Sequence, residues 1–416
     1  MNLLESELYS DSLFDKNIQY RSLDYHPKEE PAAIFLTGST GFLGVHLLAE
    51  LLSRSKALIY CLVRGADAGQ RKIVKEMQRN QLWKDDYFQR IIPVIGDLEQ
   101  EMFGLSEEQF HSLAEQVEVI YHNGALTNSL YPYYKLRASN VFGTREILRL
   151  AGLYAVKPVH YISTLSVFTE NSLQNNVFLE DEFPRCPIQR SGYVQTKWVS
   201  EQMVRNAQNQ GLPASIYRLG RIFGNSRTGL MVNFFSDLFC IFLKACVIAK
   251  KFPSNVDQVY LTPVDFISRS IAFISCHPNS YGKTFHVYNS RPTLWSNIFD
   301  VIRDFGYPIE SALRYDWNKE ILRIVSEVEQ TSPVECMQLS LAKMSNIGTP
   351  AKIRIDDRHA SDILNQGGIS CPLVDNGFLR HHIYYLQENH FFPAPSLCPS
   401  SSNVVAYWRW VSSHGR

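Results

Sequence analysis

The sequence predicts an α/β protein: a doubly wound parallel sheet followed by a mostly helical C-terminal region. Two observations carry this prediction. From Ile34 to about Arg218, short apolar runs alternate with helical stretches, the pattern of a parallel sheet covered by helices on both faces. After Gly224 the alternation weakens, and from Trp295 to about Asn389 helical periodicity dominates. The expected division is an entry segment over residues 1–30, a nucleotide-type domain over 31–224, a substrate region over 225–394 with some strands returning to the sheet, and an extension over 395–416.

Composition narrows the function classes. The chain has 416 residues, 45% hydrophobic and 20% charged, with 41 basic and 41 acidic side chains. That balance provides no global basic field for nucleic acid or an anionic membrane. Eight cysteines are scattered with no CxxC pair, which points to reduced, buried thiols. The N-terminus has no basic region and no long apolar core, so no signal peptide is expected and a cytoplasmic setting fits. The apolar stretch Phe234–Leu243 is interrupted by Asp237 and followed by Lys244. It is too short to span a bilayer and reads as a buried helix or the wall of an apolar pocket.

The first strand, Ile34–Thr37, runs into Gly38-Ser39-Thr40-Gly41-Phe42-Leu43-Gly44, and a helix follows over Gly41–Ser53. Strand, glycine turn and helix together form a phosphate-binding arrangement: helix N-terminal N–H groups carry a partial positive charge. Gly38 makes the turn, Gly41 lets a pyrophosphate approach, and Gly44 lets helix and strand pack closely. The fold is therefore expected to be Rossmann-type, with Gly38, Ser39, Thr40, Gly41, Phe42 and Leu43 against the cofactor.

Further strands are expected at Leu58–Val63, Ile91–Ile95, Val119–His122, Val159–Ser163 and Ser215–Leu219, with helices at Glu107–Gln116, Val141–Tyr154 and Thr196–Gln208. Ligands of such sheets bind beyond the strands' carboxyl ends. Arg64 follows the second strand where an NAD site would place Asp or Glu; an arginine there accommodates the 2′-phosphate of NADPH, with Arg71 a second candidate. Asp97-Leu98 ends the third strand, where Asp97 either accepts from the adenine amino group or serves the turn. His122-Asn123-Gly124-Ala125 ends the fourth. Asn123, Gly124 and Ala125 let the cofactor ribose lie against the backbone, and His122 is expected to be packed. Thr164 ends the fifth strand.

Tyr193 and Lys197 stand four apart on an expected helix and share one face. An ammonium beside a phenol would lower its pKa and let it exchange a proton. Tyr131-Pro132-Tyr133-Tyr134-Lys135 has the same spacing. It carries a proline and lacks a hydroxyl residue ending a strand about thirty residues before it, and so reads as a loop. Thr164, Tyr193 and Lys197 are the catalytic candidates. Cofactor candidates also include Tyr193, Lys197, Gly220 and Arg221. His359, His381 and His382 are read as solvated or structural, and no metal constellation is visible.

These residues carry a resemblance to the extended short-chain dehydrogenases/reductases. More narrowly, the chain resembles the thioester reductase domains of non-ribosomal peptide synthetases, polyketide synthases and carboxylic acid reductases. The matching stretches are Leu36–Gly44, Cys61-Leu62-Val63-Arg64, His160–Phe168, Tyr193–Lys197, Tyr217–Gly224, Leu261–Phe266 and Ile369–Asp375. The resemblance spans about residues 31–394. It implies NADPH-dependent reduction of an acyl or peptidyl thioester held on the phosphopantetheine of a carrier protein, with release of an aldehyde and, in a second cycle, an alcohol. It implies that Tyr193 protonates the oxyanion, Thr164 donates to it, and Lys197 holds the nicotinamide ribose. It also implies that the C-terminal region receives the carrier. A monomer is expected, without nucleic-acid partners or a transmembrane segment. Alternatives are a fatty acyl-CoA reductase, another carbonyl reductase or epimerase of the same fold, and a non-catalytic NADP sensor. Asp11-Ser12-Leu13 resembles the modified triplet of carrier proteins, but too little chain follows it for a carrier bundle. The Pro/Ser-rich end, with Ala406–Val411, matches nothing expected of the family.

Overall fold

The computed structural model describes residues 3–13, 20, 30–65, 69–128, 130–168, 177–231, 234–328 and 354–395. The tail beyond 395 lies outside them. Two compact units divide the chain. The first comprises residues 1–220, 265–288 and 354–370; the second comprises 221–264, 289–353 and 371–416.

The first unit is built on seven strands: β1 (Ala33–Thr37), β2 (Leu58–Val63), β3 (Ile91–Ile95), β4 (Val119–His122), β5 (Val159–Thr164), β6 (Ala214–Leu219) and β7 (Thr284–Val287). Their order is β7-β6-β5-β4-β1-β2-β3, and every neighbouring pair is parallel. All five residues of β1 are buried, as in a strand covered on both faces, whereas edge strand β3 ends on an exposed residue. The six strands expected up to Leu219 all form, with bounds shifted by at most one residue, and a strand returning to the sheet from the later region is β7.

Helices α1 (Leu3–Ser12), α2 (Phe42–Arg54), α3 (Gly69–Arg79), α4 (Glu107–Gln116), α5 (Tyr133–Arg137), α6 (Gly143–Gly152), α7 (Gly192–Asn209), α9 (Val264–Ser275, beginning at the unit boundary) and α12 (Arg358–Gln366) belong to this unit. Several differ from the reading of the sequence: α7, expected at Thr196–Gln208, begins at Gly192, and α3 was not expected. Residues 3–12 form a helix: buried Asp11 accepts from Tyr133 Oη at 2.6 Å and pairs with Arg137. The Tyr131–Lys135 stretch is not all loop, because Pro132 serves as the N-cap of α5, where a missing N–H does no harm. The helix expected from Val141 starts with a π-turn, Ala138–Phe142, and becomes α-helical at Gly143.

Residues 354–370 join this unit through Glu180. Its carboxylate accepts from the backbone N–H of His286 at 2.8 Å and of His359 at 2.6 Å, so it caps the first turn of α12 from a distant part of the chain.

The second unit packs α8 (Leu238–Ala249), α10 (Trp295–Asp304), α11 (Arg314–Val328) and α13 (Asn376–Glu388) around an aromatic core. Phe239 stacks on Trp295 at 5.2 Å, and Phe242 lies 5.2 Å from Trp295 and 5.5 Å from Trp317. From Leu238 onward the apolar stretch is thus a buried helix. Asp237 is its N-cap, accepting from Phe239 and Cys240 N–H. A short strand, Lys251–Pro253, pairs with Glu310–Ala312. No helix among the described residues is long and apolar enough to cross a membrane.

Candidate active site

The register brings the strand ends to one edge. Thr37 pairs with Leu62 of β2 and His122 of β4, and Val63 pairs with Ile95. His122 pairs with Tyr161, so β5 runs three residues past β4 and carries Thr164 outward.

The glycine turn does three separate jobs. Gly38 has φ +71°, and a Cβ on it would lie 2.7 Å from Gly124 Cα. A Cβ on Gly44 would lie 1.9 Å from Gly38 O, so α2 can cross β1 this closely only with glycine there. A Cβ on Gly41 would make only an ordinary 3.4 Å contact with Gly38 O. Nothing in the protein requires glycine at that position, which fits a ligand approaching there. Gly41 is the N-cap of α2 and provides no side-chain cap, so the first N–H groups of the helix suit a phosphate. A dinucleotide therefore fits this cradle; in the turn itself Thr40 and Phe42 are half-buried, whereas Ser39 and Leu43 are buried.

Behind the cradle a hydrogen-bonded chain joins three elements. Thr37 Oγ1 accepts from Gly124 N at 2.8 Å and lies 2.9 Å from His122 Nδ1. His122 Nε2 lies 2.9 Å from Thr144 Oγ1, which donates to Asn140 O at 2.6 Å. Burial lowers His122 to about 3, so this ring is neutral packing, as expected. Asn123 Nδ2 donates to Gly38 O at 3.3 Å, and Leu98 packs under Gly124 and Gly143. Asp97 serves its turn, accepting from Glu99 N at 3.1 Å. Ala125 is partly exposed, and Arg64 and Arg71 are exposed at the end of β2 and the start of α3. Gly220 closes β6, donating to Val287 O at 3.0 Å. Arg221 opens the second unit, in a strand paired with Leu261–Pro263.

Tyr193 and Lys197 share a face near the start of α7. Lys197 Nζ donates to Ile162 O at 2.7 Å and lies 4.8 Å from the centre of the Tyr161 ring. Burial lowers Lys197 to about 7, and Glu201 partly offsets this. Tyr193 is partly exposed at its surface, yet burial pushes its phenol up to about 12. The net shift is upward, against the lowering expected from Lys197. Thr164 Oγ1 accepts from Ser166 N at 3.1 Å, and its own proton can still be donated outward.

The sequence reading missed Asn140. Its side chain joins Leu126 N, Leu126 O and Thr196 Oγ1 at 2.8, 3.0 and 3.0 Å, and Thr196 donates to Tyr193 O at 2.8 Å. The π-turn aims it, a common use of such turns. Also missed was the buried pair Glu201–Arg218; a charged residue inside the apolar strand Ser215–Leu219 was the available signal. His381 and His382 are buried in the second unit, with the His382 ring 4.2 Å from Phe378. They pack rather than meet solvent, and no three His, Cys, Asp or Glu among the described residues gather as a metal site.

Comparison with known proteins identifies the family. An NAD-binding family described as male sterility protein matches residues 36–271. A linear gramicidin synthase of Brevibacillus parabrevis is 36% identical over 84% of this chain and 7% of its own length. L-2-aminoadipate reductase of Schizosaccharomyces pombe is 31% identical over 89% of this chain and 27% of its own. The chain thus spans less than a third of either relative. Among solved structures, the terminal R domain of the myxalamid PKS-NRPS pathway is 37% identical with a TM-score of 0.86, covering 94% of this chain and 100% of that one. The chain belongs to the NAD(P)-binding thioester reductase family within the extended short-chain dehydrogenases/reductases.

Proposed function

We propose that the protein uses NADPH to reduce an acyl or peptidyl thioester, carried on the phosphopantetheine arm of a carrier protein, to an aldehyde. The observation that carries this reading is the combination of family membership with Thr164, Tyr193 and Lys197 on neighbouring elements at one sheet edge. Arg64, exposed after β2 with no acidic residue in its place, supports NADPH over NADH.

When bound, the cofactor supplies the hydride. The chain's own residues handle the proton and the developing charge. Tyr193 gives its proton to the thioester oxyanion, and Thr164 donates a second hydrogen bond to it. A phenol held near 12 remains protonated at neutral pH, the state a donor needs. Lys197 binds the nicotinamide ribose and supports the tyrosinate left behind. The hemithioacetal then breaks its C–S bond, releasing the aldehyde and the pantetheine thiol. We further propose a cytoplasmic, monomeric enzyme; the buried free thiols Cys61, Cys240 and Cys246 support a reducing compartment.

The test is NADPH oxidation by the purified protein with acyl-carrier thioester, acyl-CoA and free aldehyde compared side by side. Preference for the acyl carrier is expected. Tyr193→Phe should lose roughly 10²–10⁴-fold in turnover, the range for a general acid, while NADPH still binds. Preference for acyl-CoA would move the assignment to a fatty acyl-CoA reductase.

A further inference from the structure

Glu201 follows Lys197 by one turn of α7. It is fully buried, as is its partner Arg218 on β6. Glu201 Oε2 accepts from Ser163 Oγ at 2.9 Å. Arg218 Nε lies 3.0 and 3.2 Å from the two carboxylate oxygens, and Nη2 pairs with Oε1. Arg218 also donates to Glu182 O at 2.8 Å, and its guanidinium lies 4.7 Å from the centre of the Phe168 ring. Burial works to raise the Glu201 carboxyl, but Arg218, Arg205 and Ser163 outweigh it and hold the group below its ordinary value.

A buried pair of this kind contributes little net stability compared with apolar residues of the same volume. Its geometry points to a different role. Ser163 is the residue before Thr164, and the Ile162 carbonyl before it accepts from Lys197. Two side chains one turn apart on α7 therefore hold two consecutive residues of β5, directly below the hydroxyl at the strand end. We propose that Glu201, held by Arg218, is a positioning residue that sets the register between Thr164 on β5 and the Tyr193–Lys197 face of α7. The proposal rests on the assignment of Thr164 and Tyr193 to the oxyanion. Those two donors must converge on one oxygen, and a displacement of about 1 Å can cost roughly a hundredfold in rate.

Glu201→Gln strands Arg218 in the interior, so that variant can fail to fold. Ser163→Ala is the sharper test, because it removes the β5 contact and leaves the ion pair in place. Steady-state kinetics would be measured with acyl-carrier thioester and with free aldehyde, alongside thermal melting and NADPH affinity. Expected for Ser163→Ala is a kcat per folded molecule about tenfold lower, the effect of ~1.4 kcal/mol, with KM and NADPH affinity unchanged and a modest drop in melting temperature from the lost bond to a buried carboxylate. A kcat equal to wild type overturns the proposal. So does a lower melting temperature with unchanged kcat per folded molecule, which is what a merely structural bond would give. Both substrates draw on the same proton donor. A wild-type protein that reduces only the aldehyde would refute the carrier reading, and the ratio of variant to wild type on the aldehyde would still decide the positioning role.

Discussion

The two units were built under different constraints. In the first, positions near the glycine turn are restricted to one residue type: Gly44 because its Cβ would lie 1.9 Å from a carbonyl oxygen, Gly38 because of its positive φ and the approach of Gly124. In the second, Phe239, Phe242, Trp295 and Trp317 fill space around one another, and other apolar side chains of similar volume would serve. The lesson is that chemistry near a ligand leaves a readable motif, whereas a core leaves only an apolar run.

The largest expected effect tests the second half of this contrast. Phe242→Ala removes a ring packed between Trp295 and Trp317 and should cost about 3–5 kcal/mol of stability, measured by urea unfolding, with NADPH affinity of the folded protein unchanged. Weaker NADPH binding there would break the separation of roles. Next, Gly44→Ala should weaken NADPH binding at least about a hundredfold, or ~2.7 kcal/mol, measured by fluorescence titration; an unchanged Kd would show that α2 can shift without cost. Arg64→Ala should lower the preference for NADPH over NADH by about tenfold, ~1.4 kcal/mol, in kcat/KM with each cofactor, and an unchanged ratio would remove Arg64 from the site.

The smallest effect concerns pH. Lys197 has its folded pKa lowered from 10.5 to about 7. The unfolded chain therefore holds more protons on this group above pH 7, and stability from it rises with pH through that window. Its burial is a cost below about pH 7, where charging it opposes folding. For catalysis the sign is opposite: kcat/KM, which reports the free enzyme, should fall above about pH 7 as the ammonium is lost. His122, lowered to about 3, adds no inflection near neutrality. A profile flat to about pH 9 would mean that Lys197 keeps its proton over that range or plays no part as an ammonium.

Much of the first unit was legible in the sequence. Apolar runs covered on both faces gave the strands nearly to the residue, because burial forbids polar substitution along them. Tyr193 and Lys197 were legible through helical spacing. Asn140 was not, because a π-turn alters where a side chain points and leaves no periodic trace. Glu201 was not, because its partner Arg218 lies 17 residues away on another element. The N-terminal helix was missed because its packing depends on a tertiary bond from Asp11 to Tyr133, and its own periodicity is faint. The second unit's short strands were missed for the same reason: their pairing, as in Lys251–Pro253 with Glu310–Ala312, is non-local.

The most direct test of the central claim is a single-turnover reaction of the protein with NADPH and an acyl-carrier thioester, following NADPH absorbance, free pantetheine thiol and aldehyde together. Thiol and aldehyde should appear in step with NADPH loss in the wild-type protein, and all three should slow by about 10²–10⁴-fold in Tyr193→Phe. NADPH loss without release of thiol, or full turnover by Tyr193→Phe, would contradict that claim.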